Sequence, residues 1–223
     1  MARAPDDLGG GLALLSGPPL PFVPEQLQGA EIVAVLVLWT GVGAAPVGEL
    51  RALAPAVDAI APMPYAALQA MFERPAEVQV PTRAHVQSGF LRELPAAVAA
   101  VAAAAFERPS PLGSVLLQPM GGAFARVAED ATPLGCRGAP WLWQAGTAWF
   151  ESADDECSRA WTASVRRALA PSSGGESYPN FIDERDPERL RAAYAPAVWE
   201  RLRAVRADRD PENMLSAGHA IPL

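Results

Sequence analysis

The chain has 223 residues, half of them hydrophobic, which is enough for one domain with a substantial buried core. Only 19% of the residues are charged and the formal net charge is -7, which argues against a nucleic-acid groove or a polybasic membrane surface. The longest apolar runs, 32–39 and 96–106, fall short of a membrane span of about 20 residues, and residues 1–10 have no signal-peptide pattern. We therefore expect a soluble, cytoplasmic protein with no nucleic-acid or membrane partner.

The first half of the chain predicts short strands separated by short helices. Strands or extended segments are expected at residues 12–16, 31–41, 59–64 and 82–90. The uninterrupted apolar run within 31–41 (EIVAVLVLWTG) indicates a buried central strand. Helices are expected at 47–54 and 65–72, and Pro64 favours the start of the second one because proline suits the first helical turn.

The second half predicts longer helices. Strands are expected at residues 114–120, 123–127, 140–150 and 178–182, and helices at residues 93–106 and 152–170. A last helix begins with Asp186 as its cap, and Pro196 should kink or split it. Because strands and helices do not alternate strictly, the pattern favours the α+β class, with an antiparallel sheet and helices packed on one of its faces.

Chemical motifs are few. The chain contains no phosphate loop, dinucleotide-binding glycine motif, nucleophile elbow or metal-binding helix pattern. The cysteines, Cys136 and Cys157, are 21 residues apart and match no zinc spacing, so we expect no metal and two thiols that are inert or partly buried. Composition and periodicity alone lead to a soluble α+β domain and no further.

Ordered landmarks along the chain carry a resemblance. The C-terminal ones are Tyr178, Asn180, Tyr194, Arg201, Leu202, Asp210, Pro211, Asn213 and Ile221. Upstream landmarks are MPYAALQ (63–69), SGFLREL (88–94), LLQPMGGAFARV (116–127), and Arg137 followed by Trp149. In this order the set resembles the C-terminal half of berberine-bridge-enzyme-like FAD-linked oxidoreductases, which belong to the vanillyl-alcohol-oxidase type.

The resemblance implies three regions: a linker or start of the substrate domain (1–30), a substrate-binding domain (31–172) and a berberine-type C-terminal segment (173–223). In the family, FAD is bound mainly by an N-terminal domain, on which a C-terminal strand–helix segment packs. We expect this chain to lack that domain, through a natural truncation or a wrongly placed start. The implied partners are a small-molecule substrate and a separately encoded flavin domain, or self-association through residues 178–223, whose apolar face would be exposed.

The resemblance assigns the proton-transfer role to Tyr178, the catalytic residue, near the reacting nitrogen of the flavin. Because a phenol ordinarily keeps its proton at neutral pH, this tyrosine would need a partner. The alternative is a strand tyrosine that packs on the following helix. Asn180 and Asn213 are implied to bind the cofactor; the alternatives are a strand-end amide and a helix-end turn residue, respectively.

A substrate wall is implied on neighbouring strands. Gln144 matches a family position that carries Glu or Gln, and since Gln cannot accept a proton it would only orient the substrate. Leu142 shares its face, while Gln118 and Met120 share a face of the preceding strand. The alternative for Gln144 is an exposed strand residue. The family often has His where Cys136 stands, which weakens any inference about polar contacts there.

Two functional hypotheses follow. The first is the substrate-binding part of an FAD-dependent oxidoreductase or oxidase, incomplete on its own, that abstracts hydride from an alcohol, sugar or amine carbon with oxygen or another acceptor. The second is a truncated, non-catalytic binding module, or a subunit of a split oxidoreductase.

Overall fold

One antiparallel sheet organises the chain. The computed structural model describes residues 4–71, 80–81, 83–94, 98–182, 186–215 and 221–222. The five strands are β1 (Leu8–Ser16), β2 (Glu31–Trp39), β3 (Arg83–Leu91), β4 (Ser114–Pro119) and β5 (Trp141–Trp149). They lie in the order β2-β1-β4-β5-β3, and every neighbouring pair is antiparallel. The predicted α+β class is confirmed.

Seven α-helices accompany the sheet in the described ranges. They are α1 (Gly48–Arg51), α2 (Tyr65–Ala70), α3 (Val98–Phe106), α4 (Gly122–Ala125), α5 (Asp155–Leu169), α6 (Pro187–Ala192) and α7 (Pro196–Arg209). The predicted break at Pro196 is confirmed, because α6 ends before it and α7 begins on it. Asp186 caps α6 as expected, accepting the backbone N–H groups of Glu188 and Arg189 at 3.0 and 3.1 Å. No described helix is long and apolar enough to span a bilayer.

The main core lies between α3, α5 and one face of the sheet. Helix α5 contacts α3, β3 and β5, and it buries one stripe of side chains at helical spacing: Ser158, Trp161, Thr162, Val165 and Leu169. From the sheet, alternate residues of β4 and β5 point into this core, among them Val115, Leu117, Trp143 and Ala145. Helices on one face confirm the predicted layering. We call the opposite side of the sheet the open face.

The prediction that segment 31–41 forms a central strand of the sheet is wrong. Segment 31–41 does form a strand, β2, but β2 is an edge strand and not a central one. Val33 and Val35 are 57% and 47% exposed, on the side of the sheet that carries α3 and α5. A continuous apolar run indicates burial on both faces but does not say whether the covering element lies in the same chain.

Two other strand predictions are wrong. Residues 59–64, expected as a strand or an extended segment, pair with no strand among the described residues. Most of segment 123–127 lies in α4 because Gly122 takes a positive φ of 54° and turns the chain. Segment 178–182 contains a 3-10 turn at Pro179–Phe181, since a proline there has no N–H to give to a ladder. The expected helix ends at residues 72 and 93–97 are wholly or partly outside the described residues.

The C-terminal segment is packed in part. Leu190 of α6 and both Val198 and Trp199 of α7 are buried, whereas Val205, Met214 and Leu215 are exposed. The ring of Trp199 lies 5.7 Å from that of Tyr194, which explains part of this burial. The cysteines are free as expected, but only Cys136 is partly buried, and Cys157 is exposed.

Candidate functional site

After α5 the chain crosses the outer edge of β3. We call residues 172–181 the strap. At its start, the carbonyl of Ser172 accepts the backbone N–H of Arg92 at 2.9 Å, and Ser173 forms an isolated antiparallel bridge with Leu91. An ion pair of 2.6 Å between Arg92 and Glu176 follows. The strap therefore runs against an edge that would otherwise be unpaired, towards the open face.

A serine on β3 holds the second half of the strap. Ser88 is only 1% exposed. Its hydroxyl accepts a hydrogen bond of 3.2 Å from the backbone N–H of Tyr178. The same hydroxyl is 3.2 Å from the carbonyl oxygens of Tyr178 and of Phe181, to which it can donate its own hydrogen. Both hydrogen-bonding functions of Ser88 are thus used on the turn that carries Tyr178.

The side chains of Tyr178 and Asn180 contact each other directly. The amide of Asn180 donates to the phenolic oxygen of Tyr178 at 2.9 Å. Phe181 packs edge-on against the Tyr178 ring, with centroids 5.2 Å apart and planes at 76°. The two predicted residues therefore share one side of the molecule, although through a 3-10 turn and not through strand alternation. Because the phenol oxygen accepts from Asn180, its own hydrogen is left to point towards a further partner.

Tyr178 rests on a small apolar cluster on the open face. Phe90 of β3, Leu142 of β5 and Ala139 are its buried members, and Met120, Cys136 and Tyr178 pack against them. Two residues predicted for the substrate wall, Leu142 and Met120, are thus brought together with the predicted catalytic tyrosine. This cluster is separate from the main core on the helix side.

The two predicted glutamines lie on neighbouring positions of the same face. Gln118 of β4 pairs with Leu142, and Gln144 of β5 pairs with Ser88. Residues paired across antiparallel strands point to one face with Cβ atoms about 5 Å apart. Gln144 is half-buried and Gln118 is exposed. Both amides therefore border the cluster under Tyr178 and can donate to, or accept from, a neutral polar group.

A cleft of about 280 Å³ opens beside the cluster. Its lining residues are Phe90, Arg92, Glu129, Cys136, Gly138, Ala139 and Glu176. Burial raises the pKa of the Cys136 thiol to about 12, and the nearby charges of Glu176 and Glu129 add to this. The thiol therefore stays protonated at neutral pH and is no nucleophile.

The loop that carries Cys136 and Ala139 is organised by Arg137. Its buried guanidinium donates to the carbonyl of Phe124 at 3.1 Å and to the Thr132 hydroxyl at 2.6 Å, and it stacks on the Phe124 ring. Glu129 accepts the backbone N–H groups of Cys136 and Arg137. These contacts give the landmark arginine a structural role that supports one wall of the cleft.

Asn213 lies in another setting. It follows α7 with a positive φ of 53°, donates its backbone N–H to Asp210 at 3.0 Å, and accepts a hydrogen bond from Arg206 with its side-chain oxygen. None of its described contacts involves the strap or the sheet. The structure gives Asn213 the turn-forming role that was the alternative to cofactor binding, and its cofactor role stays a prediction.

The open face suits one part of FAD better than the rest. None of its strand side chains is charged, and its polar residues are Ser88, Ser114, Gln118 and Gln144. Neutral donors and acceptors fit the polar edge of a flavin ring. A diphosphate needs arginine, lysine or helix N-termini, which these strand positions do not offer. The donor set fits the ring of FAD and not its diphosphate.

Sequence reasoning missed the residues that fasten the strap. The SGFLREL motif contained Ser88, Phe90 and Arg92, but without a role for any of them. The available signal was the one polar residue on a strand face that otherwise carries Ala84, Val86 and Phe90, since a hydroxyl among apolar side chains needs a hydrogen-bond partner.

Comparison with known proteins finds relatives of the same fold. No family model matches the chain. It is 32% identical over 114 residues to the uncharacterized FAD-linked oxidoreductase YgaK of Bacillus subtilis (strain 168), which covers 51% of this chain and 25% of that protein. The structure of BBE-like protein 28 from Arabidopsis thaliana matches with a TM-score of 0.72 and 21% identity over 99% of this chain and 51% of that chain.

A second solved structure, the xylooligosaccharide oxidase from Myceliophthora thermophila C1 in complex with xylobiose, matches with a TM-score of 0.73 and 16% identity. It covers 97% of this chain and 48% of that one. This chain therefore spans about half the length of these solved relatives. The predicted resemblance is confirmed: this chain has the fold of berberine-bridge-enzyme-like FAD-linked oxidoreductases over nearly all its length.

Proposed function

We propose that this chain forms the substrate-binding wall of an FAD-dependent oxidoreductase that removes hydride from an alcohol, sugar or amine carbon. The observation that carries the proposal is the hydrogen-bonded pair of Tyr178 and Asn180 above an apolar cluster, on a sheet face with no charged strand residue. The flavin-linked relatives of the same fold support it.

Each residue of the candidate site has its own role in the proposed reaction. Tyr178 gives its own phenol proton to solvent and takes the proton that the hydroxyl or amine of the substrate loses along with the hydride. Asn180 holds the phenol oxygen in place for this transfer by donating a hydrogen bond to it. Gln144 and Gln118 orient neutral polar groups of the substrate, while Leu142 excludes water beneath them. FAD, when bound, supplies the acceptor for the hydride.

A sugar or other polyol is the substrate class that the glutamines favour. Side-chain amides both donate and accept, which matches the dual character of hydroxyl groups. The relative with xylobiose bound points to the same class. An apolar cluster next to polar amides also suits the ring faces of a carbohydrate, because these present C–H groups.

The FAD-binding partner of the proposal covers the open face. The open face carries the partly exposed apolar residues Leu116 and Ala148 beside Gln144, and the partner would bury them. The open face also lacks the cations that a diphosphate needs, so the partner would provide them. Self-association through residues 178–223 would use the exposed residues Val205, Met214 and Leu215, because Leu190, Val198 and Trp199 are already buried.

A non-catalytic binding module is the second candidate. It is favoured by the same lack of diphosphate ligands, because the glutamines and the apolar cluster of the open face can bind a neutral ligand without FAD. The visible spectrum of the chain, purified together with a flavin-binding partner, separates the candidates. Flavin bands that co-elute with the chain support the enzyme, and a colourless chain supports the module.

The catalytic assignment is tested by Tyr178→Phe in the reconstituted flavoprotein. Loss of a proton-transfer group is expected to lower kcat about 10²- to 10⁴-fold. The matched control is Tyr65→Phe, because Tyr65 is exposed on α2 and no part of the site. An unchanged kcat in Tyr178→Phe would show that the tyrosine does not transfer the proton.

A further inference from the structure

The dipeptide Ser88–Gly89 of β3 sits where the strap crosses the sheet edge, and its two residues face opposite sides of the sheet. Gln144 is the cross-strand partner of Ser88, whereas Trp143 is the partner of Gly89. The two residues therefore meet the strap from the open face and from the helix face, respectively.

On the open face, Ser88 accepts the Tyr178 N–H and can donate to the carbonyl of Tyr178 or Phe181, each at 3.2 Å. A hydroxyl buried to this extent has no water to replace these partners. Alanine at this position would leave the Tyr178 N–H, and whichever of the two carbonyls accepts the hydroxyl, without a partner on β3. The turn would then be free to shift relative to the sheet.

On the helix face, Gly89 leaves room for the strap. A Cβ atom at this position would lie 3.0 Å from the carbonyl oxygen of Glu176 and 2.7 Å from Nε1 of Trp143. The second distance is shorter than real contacts allow, and the first is tighter than nearly all. Any side chain larger than hydrogen would displace the core tryptophan, or push the strap away from β3 at Glu176, which is two residues before Tyr178.

We propose that Ser88 and Gly89 are positioning residues for Tyr178, which set the place of its phenol group over the apolar cluster. The proposal rests on the proposed function of Tyr178 as the proton-transfer residue. The mechanical part stands on contacts of this chain alone: Ser88 ties the turn down on one face, and Gly89 permits the close approach on the other. Asn180 then fixes the phenol oxygen within a turn that is already anchored.

The test that needs no cofactor is ¹⁹F NMR of the chain labelled with 3-fluorotyrosine. The chain has three tyrosines, so Tyr178→Phe assigns the resonance of Tyr178 by its disappearance. Ser88→Ala and Gly89→Ala are expected to shift or broaden that resonance and to leave those of Tyr65 and Tyr194 unchanged. An unchanged Tyr178 resonance in both folded variants would overturn the proposal.

Matched controls separate positioning from general loss of stability. Ser110→Ala also removes a hydroxyl that donates to a carbonyl, that of Ala148 at 2.8 Å, but it lies away from the strap. Gly146→Ala adds a methyl group to β5 where the nearest atoms are 3.6 and 3.9 Å away, in ordinary contact. Both controls should leave the Tyr178 resonance in place. A shift as large as that in Ser88→Ala would contradict the proposal.

Hydrogen exchange keeps the test decisive if the variants fail to fold. In the unaltered chain, the Tyr178 amide should exchange at least about tenfold more slowly than the same amide in an unstructured peptide, because it donates to buried Ser88. Exchange at the unstructured rate would refute the anchoring. Ser88→Thr keeps the hydroxyl, and we expect it to restore the protection that Ser88→Ala loses.

In the reconstituted flavoprotein, Ser88→Ala is expected to lower kcat about 10- to 100-fold with little change in KM, since a misplaced reacting group affects the reaction step more than binding. A rise in KM alone would assign Ser88 to substrate binding and overturn positioning. If the Tyr178 resonance shifts while kcat is unchanged for both Ser88→Ala and Tyr178→Phe, the anchoring holds and the catalytic function of Tyr178 fails.

Discussion

The last residue of α5, Leu169, offers a quantitative test of the packing that delivers the strap to the site. Its side chain is 0% exposed and belongs to the main core with Trp143 and Trp161. Leu169→Ala removes three carbon atoms, a loss of about 2.4 kcal/mol at about 0.8 kcal/mol for each buried CH₂ group. A cavity that cannot collapse adds to this, so we expect a loss of about 3 kcal/mol in the free energy of unfolding.

Urea denaturation followed by tryptophan fluorescence measures this loss, since two of the reporting indoles share the core with Leu169. For a chain of this length, the same loss corresponds to a decrease in Tm of about 6 to 12 °C. The control is Leu53→Ala, because Leu53 is 77% exposed and its removal should change stability by less than about 0.5 kcal/mol. A loss below about 1 kcal/mol for Leu169→Ala, with an unchanged denaturant slope, would refute the burial of this helix end.

Three further predictions concern individual side chains. Iodoacetamide at pH 8 should modify exposed Cys157 and spare Cys136 until the chain unfolds, because burial holds the pKa of Cys136 at about 12. Peptide mass spectrometry identifies the modified cysteines, and equal labelling of the two would contradict this prediction. Hydrogen bonds from Arg83, then from a tryptophan, hold the pKa of Asp155 at about 2, so its stabilising effect is complete above its ordinary pKa of 3.8 and is lost as the pH falls towards 2. Between about pH 5 and about pH 2, the range over which such a carboxylate titrates, the Tm of the unaltered chain should therefore fall more than the Tm of Asp155→Asn. Thermal unfolding of both proteins at each pH measures this difference. Asp186→Ala should cost about 1 kcal/mol by removing the cap of α6, as measured by chemical denaturation, and no loss would show that the cap is not formed.

Local patterns predicted the elements whose causes are local. The helix predicted at residues 152–170 is α5, whose buried residues Trp161, Val165 and Leu169 keep helical spacing, and Asp186 with Pro187 and Pro196 predicted the two C-terminal helices. Alternation predicted β3, and the strand predicted at residues 140–150 is β5; both are correct nearly to the residue. These helices and strands are determined by residues that lie close together in the sequence, within one or two helical turns or a few strand positions.

The rest depends on contacts that the sequence does not encode locally. The apolar content of β2 does not reveal that it is an edge strand, since strand order is set by long-range pairing. Tyr178 and Asn180 were linked through family resemblance, but their hydrogen bond forms because Pro179 bends the chain into a turn. The anchoring by Ser88 joins residues 90 positions apart and could not be anticipated from spacing.

The register of β3 with β5 has a consequence for the order of folding. Arg83 pairs with Trp149, across 66 positions of chain, whereas β1 and β2 are joined by a connection of 14 residues. Loop closure on the longer scale is entropically costly, so the β1–β2 hairpin is expected to form early and the β3–β5 ladder late. The strap can dock only on a completed β3–β5 edge. Tyr178 should therefore reach its final position in the last phase of refolding, and the time course of its ¹⁹F signal should lag behind the gain of sheet structure.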